Sequence, residues 1–478
     1  MHAIAPLLTV ILTLTLCFPI QANTQLPSIG NSSSELVSLA EEKKLGQYWL
    51  RSLRRQVELY HNPIVEEYFS HLVYSLAPAS GVQDSDFSLV IINSPSLNAF
   101  AVPGSVMGIN AGLFLHAASE QEFAAVIAHE LAHLSQRHYA RRLESQAKSQ
   151  PLQLAGLLAS VVVMATAGTE AGVAALASTQ ALGIEKMLSF SRENEQEADR
   201  LGIRILNESA FDPRAMPAMF ERMFRQNRLQ GQQVPEYLST HPLSENRVAD
   251  TRNRANQYPP RRYSDNPEYH FSKNIIIADY AESPERALAH FEQELGTAPS
   301  LRAHAAKYGK AYLLSQTNPQ KSLELIRELE RDFPGQISIL ILKAMSLHNH
   351  GDSEQAIALL ETQLKRYPDN YPTAISLVNI LTDKNQILRA TGILNSLARS
   401  TPNNPRVWEL LAETQGLAGN IVSLHQARAE YFQLHGNFKL ALEQLDLAHQ
   451  KSAGNANTRA KIQVRKNEIQ ALQKGAPF

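Results

Sequence analysis

Hydrophobic positions along the chain change period several times, and each change marks an element. Ile4 to Ile20 is almost wholly apolar or threonine, with no charged side chain. From Glu35 to His71 the apolar residues Leu36, Ala40, Leu45, Trp49, Leu53, Val57 and Tyr60 recur at helical spacing. They predict amphipathic helices broken near Asn62-Pro63. The pattern continues over Leu72 to Leu76, and Pro78 to Ser85 reads as a turn. Phe87 to Asn93 is rich in β-branched residues and predicts a strand. Asn98 to Val102 and Val106 to Asn110 predict two more around a Pro-Gly turn. A helix then runs from about Glu120 to Glu144, its middle lined by Val126, Ile127, Ala128, Leu131 and Ala132. Such apolar neighbours suit a buried helix, where polar groups are costly unless used. Further helices are expected from Ser191, a good N-cap, and over Ala215 to Arg228 after Phe211-Asp-Pro-Arg.

Two stretches stand apart. Pro151 to Leu188 is rich in Ala, Val, Gly, Leu and Met and nearly uncharged. It reads as apolar helices packed by the Glu120–Glu144 helix, a lid over a cleft, or a surface meeting membrane or partner. Tyr258 to Pro267 is proline-rich, polar and aperiodic, and divides the chain. Beyond it Phe333-Pro334, Tyr367-Pro368 and Thr401-Pro402 repeat every 34 residues, and Ala356 and Ala390 keep the same step. That is the period of the two-helix tetratricopeptide unit. Roughly four to six helix pairs are expected between 268 and 450, forming a curved solenoid suited to peptide or protein binding. Arg459 to Lys474 reads as a capping helix.

The expected fold is therefore α+β in its first part, mostly helical with a small sheet, followed by an all-α tetratricopeptide solenoid. The expected divisions are 1–22, 23–262, 268–450 and 451–478. The chain of 478 residues is long enough for this. Charge is balanced, 45 basic against 46 acidic, which argues against a nucleic-acid partner. The apolar start, followed by Ile20-Gln21-Ala22 and a Ser/Asn-rich stretch, reads as a cleaved export signal, with an uncleaved anchor as the alternative. Cys17 is the only cysteine and falls inside that signal, so any metal site in the mature chain would use His and carboxylates.

His129-Glu130-Leu-Ala-His133 supplies such a site. Histidines four apart lie about 40° apart around a helix, so both imidazoles point the same way. Neutral imidazoles suit Zn²⁺, and one ion per chain is expected. Glu130 is the natural base for a water whose pKa the metal lowers. The shell needs another ligand. Glu195 and Asp199, i and i+4 on the Ser191 helix, share a face. Glu193 and Glu197 lie about 160° around it and face elsewhere. Glu195 is the expected third ligand, with Asp199 supporting a ligand histidine or bonding to the reacting centre. His241 is read either as a removable fourth ligand or as a substrate contact, and Arg247 as a partner for a carboxylate or an oxyanion. His138, nine residues after His129, falls on the opposite face, either at the surface or as a local hydrogen-bond partner. The strand at 98–102 or the one at 106–110 could offer an extended substrate a free edge.

Together, His129-Glu-Leu-Ala-His133, Asn98-Ala-Phe-Ala-Val-Pro-Gly, Ser191-Arg-x-x-Glu195-x-x-Ala-Asp199 and Thr240-His-Pro-x-x-x-x-Arg247 resemble the HtpX/CAAX-prenyl-protease-like zinc metallopeptidase family. The resemblance implies a zincin-type protease domain in which His129, His133 and Glu195 bind zinc and Glu130 is the catalytic glutamate. Asp199 would support or donate a proton, and His241 would cap the zinc at rest. The Phe100–Ile109 segment, including Val102, Val106 and Met107, would be the edge strand over the cleft, and 141–190 an active-site plug. Ser105 stands where that family often has a second glycine. With the export signal and the repeats, the resemblance implies a periplasmic endopeptidase. Its clients would be misassembled outer-membrane proteins, its partner their barrel assembly machinery, and membrane contact would be peripheral. The alternative is mainly a chaperone or adaptor acting through the repeats.

Overall fold

The computed structural model describes residues 38–142, 190–229, 236–297 and 300–474. The export signal expected at 1–22 and the apolar stretch at 151–188 lie outside the described residues.

Helix α1 (Leu39–Gln56) starts in a capping box, with Ser38 and Glu41 bonding to each other's backbone N–H. Helix α2 (Pro63–Ser80) is capped by Asn62, whose side chain accepts from Ile64 and Val65, so the predicted break at 62–63 is present. The turn expected from Pro78 is not. Pro78 sits inside the last turn of α2, where its fixed φ is helical and its missing N–H removes only one bond. The helix instead stops at Gly81, with φ of 75°.

Strands β1 (Ser88–Ile92), β2 (Ala99–Val102) and β3 (Val106–Asn110) form one sheet in the order β1-β3-β2. β3 lies in the middle, parallel to β1 and antiparallel to β2. This corrects the edge-strand expectation: Val106 and Met107 are on a strand paired on both sides, whereas Phe100 and Val102 are on β2, one of the two outer strands of this sheet. Phe100, Val102 and Val106 pack with Leu50 of α1 and Val90. The ring of Phe100 lies over Gly108, where a Cβ would come within 2.2 Å of it. The β2–β3 turn holds Gly104 and Ser105 at φ of 75° and 57°. Ser105 thus occupies the left-handed region that favours glycine. Its hydroxyl donates to the Asp84 carbonyl at 2.5 Å.

After α3 (Gly112–His116), α4 (Glu120–Ser135) carries the HExxH residues through the centre of the first part. It is capped by Ser119. It ends before the predicted Glu144, because Arg137 takes φ of 49° and breaks the ladder. Arg137 is held there by a bond from Nε to Glu42 Oε1 at 2.8 Å. Helix α5 (Arg192–Glu208), capped by Ser191 as expected, packs along α4. Gly202 lets them approach: a Cβ there would sit 3.3 Å from the His129 backbone nitrogen and 2.5 Å from Met216 Cε. Helices α6 (Ala215–Leu229), α7 (Glu236–Thr240) and α8 (Glu245–Ala255) close the site. The proline after His241 does not open the next helix; Ser244 caps it.

The repeats follow as α9 (Pro267–Tyr280), α10 (Pro284–Thr297), α11 (Ser300–Thr317), α12 (Pro319–Asp332), α13 (Ile337–His350), α14 (Ser353–Arg366), α15 (Tyr371–Asp383), α16 (Ile387–Ser400), α17 (Pro405–Leu417), α18 (Ile421–Leu434), α19 (Phe438–Lys451) and α20 (Ala456–Lys474). Helices α13, α15 and α17 start 34 residues apart, the period read from the prolines. Ala356 and Ala390 are fully buried where helices cross. Helix α20 completes the last pair, burying Ile462 and Ile469 against Ala441, Leu445 and Ala448.

The two parts share one core, which runs from Tyr60 to Ala427. Tyr269 of α9 stands among Tyr68, Phe114 and Phe123, at 5.7, 6.0 and 5.6 Å between ring centroids. At the far side Arg54 of α1 donates to the carbonyls of Leu434 and Asn403 at 3.2 and 3.3 Å. Arg51 lies 5.6 Å over the Phe438 ring. The proline-rich stretch before α9 is a covalent joint, not a gap in packing.

Candidate metal centre

His129 and His133 project from one face of α4 as the spacing requires, and α5 brings Glu195 to them. His129 Nε2 and His133 Nε2 are 3.0 Å apart. Glu195 Oε2 lies 3.6 Å from the first and Oε1 3.4 Å from the second. His241, just past α7, places Nδ1 3.0 Å from Glu195 Oε1. One donor atom from each of His129, His133, Glu195 and His241 lies within 4.8 Å of every other, and all four residues are buried. Glu130 is fully buried beside them, its Oε1 3.6 Å from His241 Nε2.

Both carboxylate oxygens of Glu130 are buried without a hydrogen-bond partner among the described residues. A buried carboxylate left this way is costly. A divalent cation among these donors would satisfy what the protein alone does not, and the His/Glu set fits one. In the metal-free chain burial disfavours the charged form of His129, yet Asp199 and Glu195 outweigh it and push its pKa up to about 9. Burial, joined by the nearby His129 and His241, drives His133 well below the usual histidine range against the pull of Glu195. Burial opposes ionisation of Glu195, but His241, His129 and His133 hold its carboxyl well below the usual range.

Around this cluster lies a buttress. Asp199 Oδ1 is 3.1 Å from His129 Nδ1. Arg247 grips Asp199 with two bonds, Nε to Oδ2 at 2.8 Å and Nη2 to Oδ1 at 2.7 Å. Its Nη1 donates to the Pro242 carbonyl at 2.7 Å and lies 2.7 Å from Glu195 Oε2. Arg247 thus pairs with two carboxylates, those of Asp199 and Glu195. It is buried, and its three guanidinium nitrogens meet Asp199, Glu195 and the Pro242 carbonyl. Asp199 likewise faces His129.

Other residues around the metal cluster gave weak or no sequence signal. Phe190 stacks on His133 with centroids 4.0 Å apart. Tyr237 stacks on His241 at 4.6 Å. His138 is fully buried, not at the surface, and meets His133; Glu197 faces His138 rather than solvent alone. A lone aromatic or an acid on the wrong helical face carries no periodic mark.

With this geometry in place, the comparisons decide the family. The profile of peptidase family M48 matches residues 63–255, which span both histidines, Glu195, Asp199, His241 and Arg247. A beta-barrel assembly-enhancing protease of Yersinia pestis is 32% identical over 455 residues, covering 94% of this chain and 93% of that protein. The chain belongs to peptidase family M48. It is a metallopeptidase. The beta-barrel assembly-enhancing protease of Escherichia coli K12 is 31% identical, covering 94% of this chain and 92% of its own. A mitochondrial metalloendopeptidase OMA1 of Schizosaccharomyces pombe is 29% identical over 217 residues, 44% of this chain and 60% of that one. A tetratricopeptide profile matches residues 347–414, which lie in the repeats of this family member. No helix of the described residues is long and apolar enough to cross a membrane.

Proposed function

We propose that this M48 peptidase is a periplasmic zinc endopeptidase that removes misassembled outer-membrane proteins and assists β-barrel assembly. The observation that carries the chemistry is the buried convergence of His129, His133, Glu195 and His241 beside the unpartnered carboxylate of Glu130. The names of its full-length relatives carry the client class. The apolar N-terminal stretch supports export.

His129, His133 and Glu195 would hold the zinc, with His241 as a fourth donor at rest. When bound, the ion supplies Lewis acidity, polarising the scissile carbonyl and acidifying water. Glu130 accepts the proton from the attacking water and returns it to the leaving amine. Asp199 orients His129, and Arg247 holds Asp199. His241 occupies the place a substrate needs, so hydrolysis requires it to swing out past Tyr237. The outer edge of β2 is where an extended client would add as a strand, with the repeats holding folded or partly folded portions.

The test is zinc content and hydrolysis of an unfolded β-barrel client by the purified chain, beside Glu195→Ala and Glu130→Gln. One zinc per chain, lost in Glu195→Ala, is expected. Glu130→Gln should keep its metal and lose roughly 10²–10⁴ in rate. Full zinc affinity in Glu195→Ala would remove the third ligand. The second reading, a chaperone or adaptor acting through the repeats, is favoured by their joint core with the protease part. It predicts that Glu130→Gln keeps full barrel-assembly function in cells.

A further inference from the structure

We infer that His138 and Glu197 form a relay that sets the tautomer and orientation of His133, making both positioning residues for the metal site. A continuous helix would put residue 138 on the face opposite His129. The break at Arg137, with φ of 49°, turns the chain so that His138 swings back under His133. His138 is fully buried, and its Nδ1 lies 2.8 Å from His133 Nδ1. Its other nitrogen, Nε2, lies 3.1 Å from Glu197 Oε2. Glu197 also accepts from Arg141 Nη1 at 2.9 Å and is part exposed, with 29% of its side chain accessible.

The donor and acceptor roles then follow in sequence. An ionised carboxylate only accepts, so His138 Nε2 carries a proton. With one proton on each ring, His138 Nδ1 is an acceptor, and the proton between the rings belongs to His133 Nδ1. His133 Nε2 is left with a free lone pair, turned towards His129 and Glu195. That is the form a metal ligand must take. His129 is backed by the buried carboxylate of Asp199 directly; His133 is backed through an intervening ring by a carboxylate at the surface. The histidine pair is therefore held asymmetrically, and of the His133 relay only the Glu197 end is partly accessible to solvent.

The inference rests on the ligand assignment proposed above. The test uses the full chain, with Zn²⁺ competed against a chelator at fixed pH, for Glu197→Ala, His138→Phe and His138→Gln. Glu197→Ala and His138→Phe should each weaken zinc binding about 10–100-fold. His138→Gln should recover most of the loss, because its amide oxygen accepts from His133 and its NH₂ donates to Glu197. The metal-free melting temperature of Glu197→Ala should match that of the unaltered chain, so a general loss of structure is not the cause. If His138→Phe does not fold, Glu197→Ala carries the test, since its side chain is part exposed. Unchanged zinc affinity in Glu197→Ala, or no recovery in a folded His138→Gln, overturns the relay with the ligands intact. Absence of zinc binding by the unaltered chain overturns the ligand set, and the relay with it.

Discussion

At the scale of single residues, the site is a set of donors whose neighbours decide their use. His241 is the instructive case. It contributes a donor to the cluster, yet it sits on a short stretch between α7 and α8 instead of a rigid helix. His241→Ala should therefore raise basal hydrolysis of an unfolded protein severalfold while weakening retention of zinc. Peptidase assay beside metal analysis checks this, and a rate at or below that of the unaltered chain would count against a resting cap. His129 and His133 were legible because helical spacing aims them together, and Glu195 because it shares a helix face with Asp199 and the pair of histidines needs a further donor. The relay partners were not. His138 reaches His133 only because Arg137 is held in a left-handed conformation by Glu42, 95 positions earlier. No local pattern encodes that contact.

At the scale of elements, two helices do the positioning. The sequence announces both, α4 through the apolar residues around its HExxH and α5 through Ser191 at its start. What it does not announce is how closely they approach. Gly202 allows α5 to lie against the His129 backbone, and a branched side chain there would push the helices apart. Gly202→Val should lower zinc affinity and activity together by about tenfold or more, and cost about 1–3 kcal/mol of stability from overpacking. Chelator competition and urea unfolding measure the two. A variant with native zinc affinity would show that α5 tolerates displacement. The sheet illustrates the other limit of sequence reading. Three strands were expected from β-branched runs and a Pro-Gly turn, and three are present. Their order was open, because alternation along a strand does not say which neighbour it pairs with. Val106 and Met107 thus moved from a presumed edge to the centre.

At the scale of the whole molecule, protease and repeats meet through polar groups as well as rings. Glu268 of α9 accepts from the Ser338 hydroxyl at 2.9 Å, close enough to Glu67 for their charges to interact. Burial pushes its carboxyl up to about 7, against the hydrogen bonds of Ser338. In the unfolded chain it would ionise near its ordinary value of about 4.3. The folded form thus binds the extra proton between those values, so stability falls as pH rises from about 4.5 to about 7 and then levels. Glu268→Gln should be more stable than the unaltered chain at pH 8, by roughly 2–3 kcal/mol, and nearly equal to it at pH 4. Urea unfolding at the two pH values checks the sign; equal gains at both would refute the assignment. The 34-residue period made the repeats legible, but their docking was invisible, since Tyr269 and Arg54 look like any other helical residues in sequence.

The contacts from Arg54 to Asn403 and Leu434 give the solenoid a fixed count. An extra 34-residue unit inserted between α11 and α16 would carry those carbonyls out of reach of α1, and a deleted one would drive them past it. Past Phe438 no such measure applies, because α18, α19 and α20 keep a small core apart from the main one. Relatives that differ in repeat number should therefore gain or lose units at that distal end, leaving the span between Tyr269 and Leu434 unaltered in length.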